Sequence, residues 1–297
     1  MSDTLNEKFD PAIHRPFIEG VLYLGKYETG LYPGAKNEVP EAHRKAGERI
    51  AATIRPLDME GKPNNKEGRI LAIVKGHSNC QMYFDALVMT TYLKEWASRL
   101  NPRFEILNAA VGGQQLPEIV QLQGRVWDKA KELLSRPGYS PQQVQVLFFH
   151  TTYHGASNKD QVPPGEFPEK MQRMQHDLMT VLEHCVGIYP HLKIAYLTCD
   201  GFRYHTGYEP HVWREAFAVK WLIESQIQGL DGTAFQGDKR RLPWLQWGPY
   251  IWNNTWDPSY FTDGVHPAPK ARAFFVEKYW EHLKLDPVAK PWLWRSR

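Results

Sequence analysis

Cysteine is scarce: Cys80, Cys185 and Cys199 are three in number and far apart. An odd, scattered set argues against a disulfide framework and against a zinc ribbon. Long apolar runs are missing too, and none approaches the roughly 18 to 20 residues a membrane span needs. Charge of one sign is not in excess, with a net charge of +3 over 297 residues. The nearest basic cluster, Lys239-Arg240-Arg241, is too short to argue for nucleic acid. The opening, MSDTLNEKFDPAIHRPF, lacks the apolar core of a signal peptide and points to the cytoplasm. A secreted or periplasmic protein whose leader had been removed would begin the same way. There is no internal repeat and no low-complexity tract.

What remains is an average globular composition, 42% hydrophobic and 23% charged, long enough for one large α/β domain with insertions or two smaller ones. The stretch RILAIVKGHSNCQ organises it. Ile70 to Val74 form a short apolar run without polar alternation, which suits a strand buried on both faces. The run breaks at Gly76-His77-Ser78-Asn79, and Phe84, Leu87, Val88 and Trp96 then follow near helical spacing. Ser78 therefore falls where a strand's carboxyl end meets a helix amino terminus, the edge at which open α/β sheets place their chemistry.

Further strands are predicted at residues 104–108, 144–150, 192–198 and 242–247, the last containing Pro243, which suits an edge strand or a strand's first position. Helices are predicted over about 40–53, 117–135, 169–186, 211–228 and from Pro267 to about 283. Strands alternating with helices, without hairpin signals, mean βαβ units in a three-layer α/β/α sandwich with a five-stranded parallel sheet. Residues 1–68 read as an irregular arm plus a short helix packed on the main domain. The main domain spans 69–285, with an aromatic-rich insertion at about 236–262, and 286–297 are a tail.

Ser78 and Gln81 stand at capping-box spacing, so Ser78 could simply cap the helix. A catalytic serine needs a base, and Asp263-Gly264-Val265-His266 offers one. Three residues apart on a turn, an Asp can hold a His by Nδ1–H and leave Nε2 facing a serine hydroxyl. His266 Nε2 should then lie within about 3 Å of Ser78 Oγ.

The order of these motifs resembles the SGNH (GDSL-like) hydrolases. GHSN carries Ser78, NAAVGGQ carries Gly113 and DGVHP carries Asp263 and His266, over roughly Gly68 to Leu285. A branch with G-x-S-N as its first motif is closer still, sharing GLYPGAKNEVPEAH and LQWGPYIW. The resemblance implies a flavodoxin-like sheet and an esterase or deacylase acting on an O-acyl ester, an acetylated carbohydrate among the options, without a cofactor. Ser78 would be the nucleophile, His266 the base and Asp263 its orienter. The backbone N–H groups of Ser78 and Gly113 would form the oxyanion hole, with Gly112 the alternative.

Where the family has Gly-x-Asn-Asp after the third strand, this chain has His150-Thr151-Thr152-Tyr153, and no Asn until Asn158. Asn79, Thr152 and His150 are candidates for the missing donor, the last two preferred for leaving the correct strand edge. His77, Gln114 and His154 are candidate substrate contacts. So are Trp247, Tyr250 and Trp252, whose rings could stack on a sugar or acyl group, although packing of the insertion explains them as well. The spacing of His150 and His154 lies on a loop without the Glu of H-E-x-x-H, so no metal site is expected. Asp200 and His205 would be the further ligands if there were one. Three functions stay open: a serine hydrolase, a binding protein in which the altered third motif has ended catalysis, and, third, a metal-assisted hydrolase.

Overall fold

The computed structural model describes residues 8–84, 94, 96–153, 167–204 and 208–295. Its main sheet has five parallel strands: β3 (Ile70–Gly76), β4 (Phe104–Asn108), β5 (Val144–His150), β6 (Ile194–Thr198) and β7 (Trp244–Trp247). They lie in the order β4-β3-β5-β6-β7, the flavodoxin-like arrangement. The chain reverses direction across the sheet between β3 and β5, so a crevice opens at their carboxyl ends.

Every residue of β3 and β5 is buried, and successive side chains serve opposite layers. Leu71 and Ile73 pack on one face, where α4 (Arg125–Leu134), α5 (Glu169–Ile188) and α6 (His211–Ile227) lie. Ile70, Ala72 and Val74 pack on the other, with α1 (Glu41–Ala51), α2 (Ser78–Tyr83), α7 (Pro269–Leu285) and α8 (Lys290–Leu293). Lys75 breaks the apolar rule on the first face. Its ammonium sits 3.8 Å from the centroid of the Trp127 ring, and burial pushes its pKa down to about 8.

The arm is tied to the first face by indole and ammonium donors reaching its carbonyls. Trp213 Nε1 donates to Arg15 O at 2.7 Å, Trp247 Nε1 to Leu31 O at 2.8 Å and Lys220 Nζ to Tyr32 O at 2.9 Å. A small hairpin, β1 (Leu22–Tyr23) with β2 (Tyr27–Glu28), shapes its middle.

Two boundaries differ from the sequence reading for local reasons. The helix predicted over 117–135 is divided into α3 (Leu116–Ile119) and α4, because Leu122 (φ 57°) and Gly124 (φ 90°) leave the right-handed region. The last helix starts at Pro269 rather than Pro267, since Pro267 forms a β-bridge with Phe261. The helix expected from Ser78 through Trp96 is described as far as Tyr83; residues 85–93 lie outside the described part.

Gly47, inside α1, explains how that helix docks on the edge strand. A Cβ there would stand 2.5 Å from the ring of buried Trp244, which also stacks on His43 at 4.8 Å. Gly47→Ala should therefore destabilise the fold by about 1–3 kcal/mol through overpacking, despite the better helix propensity of alanine. Thermal and urea unfolding measure it, and an unchanged or raised midpoint would contradict it.

Candidate active site

The turn after β3 is set by a close approach of two strands. Gly76 has φ 151°, and a Cβ on it would lie 1.9 Å from the carbonyl oxygen of His150 in the paired strand β5. Only glycine fits there. His77 is extended and Ser78 takes the first position of α2, where backbone N–H groups have no intrahelical acceptor. The capping-box reading does not hold, since the cap position is His77, and the side chains of Ser78 and Gln81 go elsewhere. Gln81 Oε1 accepts from Gly112 N at 2.7 Å. The Ser78 hydroxyl lies 2.9 Å from His266 Nε2, across 188 residues of chain.

The loop carrying His266 is pinned at its neck. Thr262 N donates to His266 O at 2.8 Å and Ala268 N to Tyr260 O at 2.7 Å, closing a tight turn over Asp263–His266. Inside it, Asp263 Oδ1 accepts from the N–H of Val265 at 3.0 Å and of His266 at 2.8 Å, while Oδ2 accepts from His266 Nδ1 at 2.7 Å. Partial burial raises the Asp263 pKa, but these donors together outweigh it and hold the group down to about 2. A carboxylate can only accept, so Nδ1 carries the proton and Nε2 is left as an acceptor facing Ser78.

The turn after β4 brings a second backbone donor. Gly112 gives its N–H to Gln81, while Gly113, with φ 72°, is exposed and has open space around it. Gly113 N–H has no protein acceptor among the described residues. A Cβ on Gly112 would lie 3.7 Å from Ser78 Cβ, so this turn borders the serine directly.

The three residues considered for the missing third donor are all engaged elsewhere. The Thr152 hydroxyl donates to Glu215 Oε1 at 2.9 Å, beside the N–H of Tyr153 at 2.8 Å. Burial pushes Glu215 up to about 7, against the pull of Arg203. His150 is buried, with Nδ1 2.9 Å from the Tyr279 hydroxyl, Nε2 3.4 Å from Asp200 Oδ1 and its ring stacked on Tyr83. Burial lowers its pKa, which disfavours the protonated form in which it would donate best. Asn79 directs its amide to Asp200 Oδ1 at 3.0 Å and to Val265 O at 3.2 Å.

The proposed substrate contacts divide in the same way. His77 is buried, 3.2 Å from Asp200 Oδ2 and 3.4 Å from His150 O, and does not border open space. Gln114 is partly exposed and donates to Gly113 O at 3.3 Å. Trp247 and Trp252 are buried, the first holding Leu31 O and the second donating to Glu209 Oε1 at 3.1 Å. Tyr250 OH accepts from Phe17 N at 2.9 Å. The rings expected to stack on a ligand instead fasten the arm and the loop after β6, because a large indole gains most by leaving water. His154, Asn158 and His205 lie outside the described residues.

Asp200, expected from the sequence to serve loop hydrogen bonds or substrate contacts unless a metal were present, is the centre of a buried cluster. Its oxygens receive Asn79, His77 and the guanidinium of Arg203, whose Nε lies 3.0 Å from Oδ2. Burial works against its charge, but Arg203 and the two histidines hold it well below the usual carboxylate range. His77, His150 and Asp200 place donor atoms within 4.8 Å of one another, the geometry of a possible cation site. Arg203 already supplies the positive charge there, so the donor set fits an internal ion pair better than a metal. The sequence signals for this cluster were an Asp at a strand's carboxyl end and, for Glu215, a charge on the inward side of α6.

Among the described residues, the fold and site thus define an α/β protein with a serine, a histidine and an aspartate in hydrogen-bonded series at the carboxyl edge of a parallel sheet. No protein-family model matches the chain, and no curated protein matches it. Among solved structures it is similar to Axe2, an acetylxylan esterase from Geobacillus stearothermophilus, at 12% identity over 78% of this chain and 100% of that one, with a TM-score of 0.43. It is also similar to LAE5, an alpha/beta hydrolase enzyme from the metagenome of Lake Arreo, at 10% identity over 71% of this chain and 94% of that one, with a TM-score of 0.42. At such scores the likeness adds nothing to the strand order described above. No helix of the described residues is long and apolar enough to cross a membrane.

Proposed function

We propose that the protein is a serine hydrolase of the SGNH type that cleaves carboxylic esters. The contact that carries this reading is the 2.9 Å approach of His266 Nε2 to Ser78 Oγ, with Asp263 behind the ring. Nε2 takes the hydroxyl proton as Oγ adds to the ester carbonyl. The carbonyl oxygen becomes an oxyanion, facing the N–H groups of Ser78 and Gly113. The imidazolium then returns the proton to the departing alkoxide, leaving an acyl-serine. Water repeats the two steps and releases the carboxylic acid. Asp263 stays ionised throughout, fixing the tautomer and balancing the charge on the ring.

The substrate class is a carboxylic ester of a small molecule or carbohydrate, recognised by groups other than the buried tryptophans. The engagement of Asn79, Thr152 and His150 favours a second reading, a ligand-binding protein on this fold, since a lost oxyanion donor costs about 10²–10³ in kcat where it has been measured. A fluorophosphonate probe separates the two. Attack by Ser78 Oγ expels fluoride, and one adduct per chain on Ser78, absent from His266→Ala, is the result expected of the hydrolase. A serine that stays unlabelled would favour the binding protein. A panel of short-chain aryl esters and acetylated sugars then sorts the acyl and alcohol groups.

A further inference from the structure

We infer that Asn79 and Asp200 are positioning residues that set the reach between nucleophile and base, an inference that rests on the serine-hydrolase reading. Both neighbours of Ser78 in the chain converge on one buried carboxylate: His77 Nε2 lies 3.2 Å from Asp200 Oδ2, and Asn79 Nδ2 lies 3.0 Å from Oδ1. Asp200 is itself fixed by Arg203, at the end of β6. The nucleophile's turn is therefore anchored on a strand other than the one it leaves.

The same amide reaches the base. Asn79 Nδ2 lies 3.2 Å from the carbonyl oxygen of Val265, the residue just before His266. An amide nitrogen has two hydrogens, and here one serves Asp200 and the other Val265. The loop after β6 adds a parallel tie, with Tyr204 N donating to Gly264 O at 2.9 Å. Asp200 to Tyr204 thus hold the serine helix through side chains and the Asp263–His266 turn through the backbone. Asn79 closes the triangle. His77, Asn79, Asp200 and Arg203 are buried, whereas Tyr204, Gly264 and Val265 are partly exposed, so the ties converging on Asp200 are the ones least weakened by competition with water. Ser78 and His266 come from segments with no covalent reason to keep their distance, and an error of about 1 Å in such a contact can cost about 10²-fold in rate.

Asn79→Ala tests this with the fluorophosphonate probe and with whichever ester the wild type turns over. Labelling should still reach one adduct per chain, but at a rate lowered roughly 10- to 100-fold. The kcat should fall with it, while KM stays within about threefold, because the groups facing the substrate are untouched. A merely structural role would lower the labelled fraction and leave the rate constant unchanged. Asn79→Ser, whose single hydroxyl proton serves only one of the two acceptors, should fall between wild type and Asn79→Ala and guards against a variant that does not fold. Asp200→Asn combined with Asn79→Ala should cost less than the sum of the two, since they act through one contact. An unlabelled wild type would overturn the functional reading and this inference with it. A labelled wild type matched in rate by Asn79→Ala would overturn this inference alone.

Discussion

Ser78→Ala is expected to lower ester turnover by about 10⁴–10⁶-fold, the scale on which catalytic serines of this kind have been measured in other enzymes. Oγ both attacks and donates the proton His266 receives, so no other atom of the site can take over its part. Stability should hardly change. The substitution removes one hydrogen bond from a half-buried side chain, a matter of about 0.5–1.5 kcal/mol, and alanine suits the first turn of a helix. The check is the initial rate on an ester with thermal unfolding on the same sample. Wild-type turnover with an intact fold would remove Ser78 as the nucleophile. Adding His266→Ala to Ser78→Ala should cost almost nothing more, because residues that act as a unit are not additive.

The second large effect concerns Asp263. Asp263→Asn should lower kcat by about 10³–10⁴-fold, the order found when the orienting Asp of another triad was changed to Asn. The reason is visible in the turn. Asp263 receives three N–H groups on two oxygens, two backbone donors on Oδ1 and the ring on Oδ2. Asparagine has a single acceptor oxygen. If that oxygen keeps the two backbone donors, its amide hydrogens face Nδ1 and force the proton onto Nε2, which can then no longer accept from Ser78. Serine-probe labelling should fall in parallel with kcat.

The pH behaviour of Asp263 follows from the same donors. Its folded pKa of about 2 lies below the unfolded value of about 3.9. Whatever stability it contributes is therefore present above the unfolded pKa and lost as pH falls through about 2. The carboxylate stays charged through the neutral range. Any acid limb in the rate between about pH 4 and 8 must come from a group other than Asp263.

Some of this was legible in the sequence for definite reasons. The short apolar-rich runs FEILN and VQVLFFH, each leading into a loop, became β4 and β5 with the expected ends. Pro243 suited an edge or a first position, because proline cannot donate to a ladder, and it directly precedes β7, an edge strand of the main sheet. Gly124 is different. It lies in a stretch whose apolar spacing continues on both sides, so periodicity joined two helices that a left-handed backbone separates. Pro267 looked like a helix start because proline suits that position, yet pairing with Phe261 keeps it extended for two residues more.

The aromatic insertion shows the limit of composition more clearly. Trp247, Tyr250 and Trp252 have the chemistry to stack on a ligand, and nothing in their order says whether a ligand or the chain itself will cover them. The arm does, through Leu31 and Phe17, more than 200 residues away in sequence. Thr152, His150 and Asn79 were open for the same reason. Each can donate, and which acceptor it meets depends on Glu215, Tyr279 and Asp200, all brought in by other elements.

Local patterning by itself determined the strand and helix alternation, the Gly76–Ser78 break at a strand's carboxyl end and the Asp-x-x-His turn, because these depend on a few consecutive residues and their intrinsic geometry. The strand order was implied by the family resemblance and by no local pattern, and the tertiary structure alone decided the side of the arm and the buried ion pair of Asp200 with Arg203. It also decided that Asn79 ties the serine's helix to the histidine's loop. Those outcomes depend on desolvation and on partners distant in sequence, and burial, not spacing, selects among the hydrogen bonds a polar side chain could make.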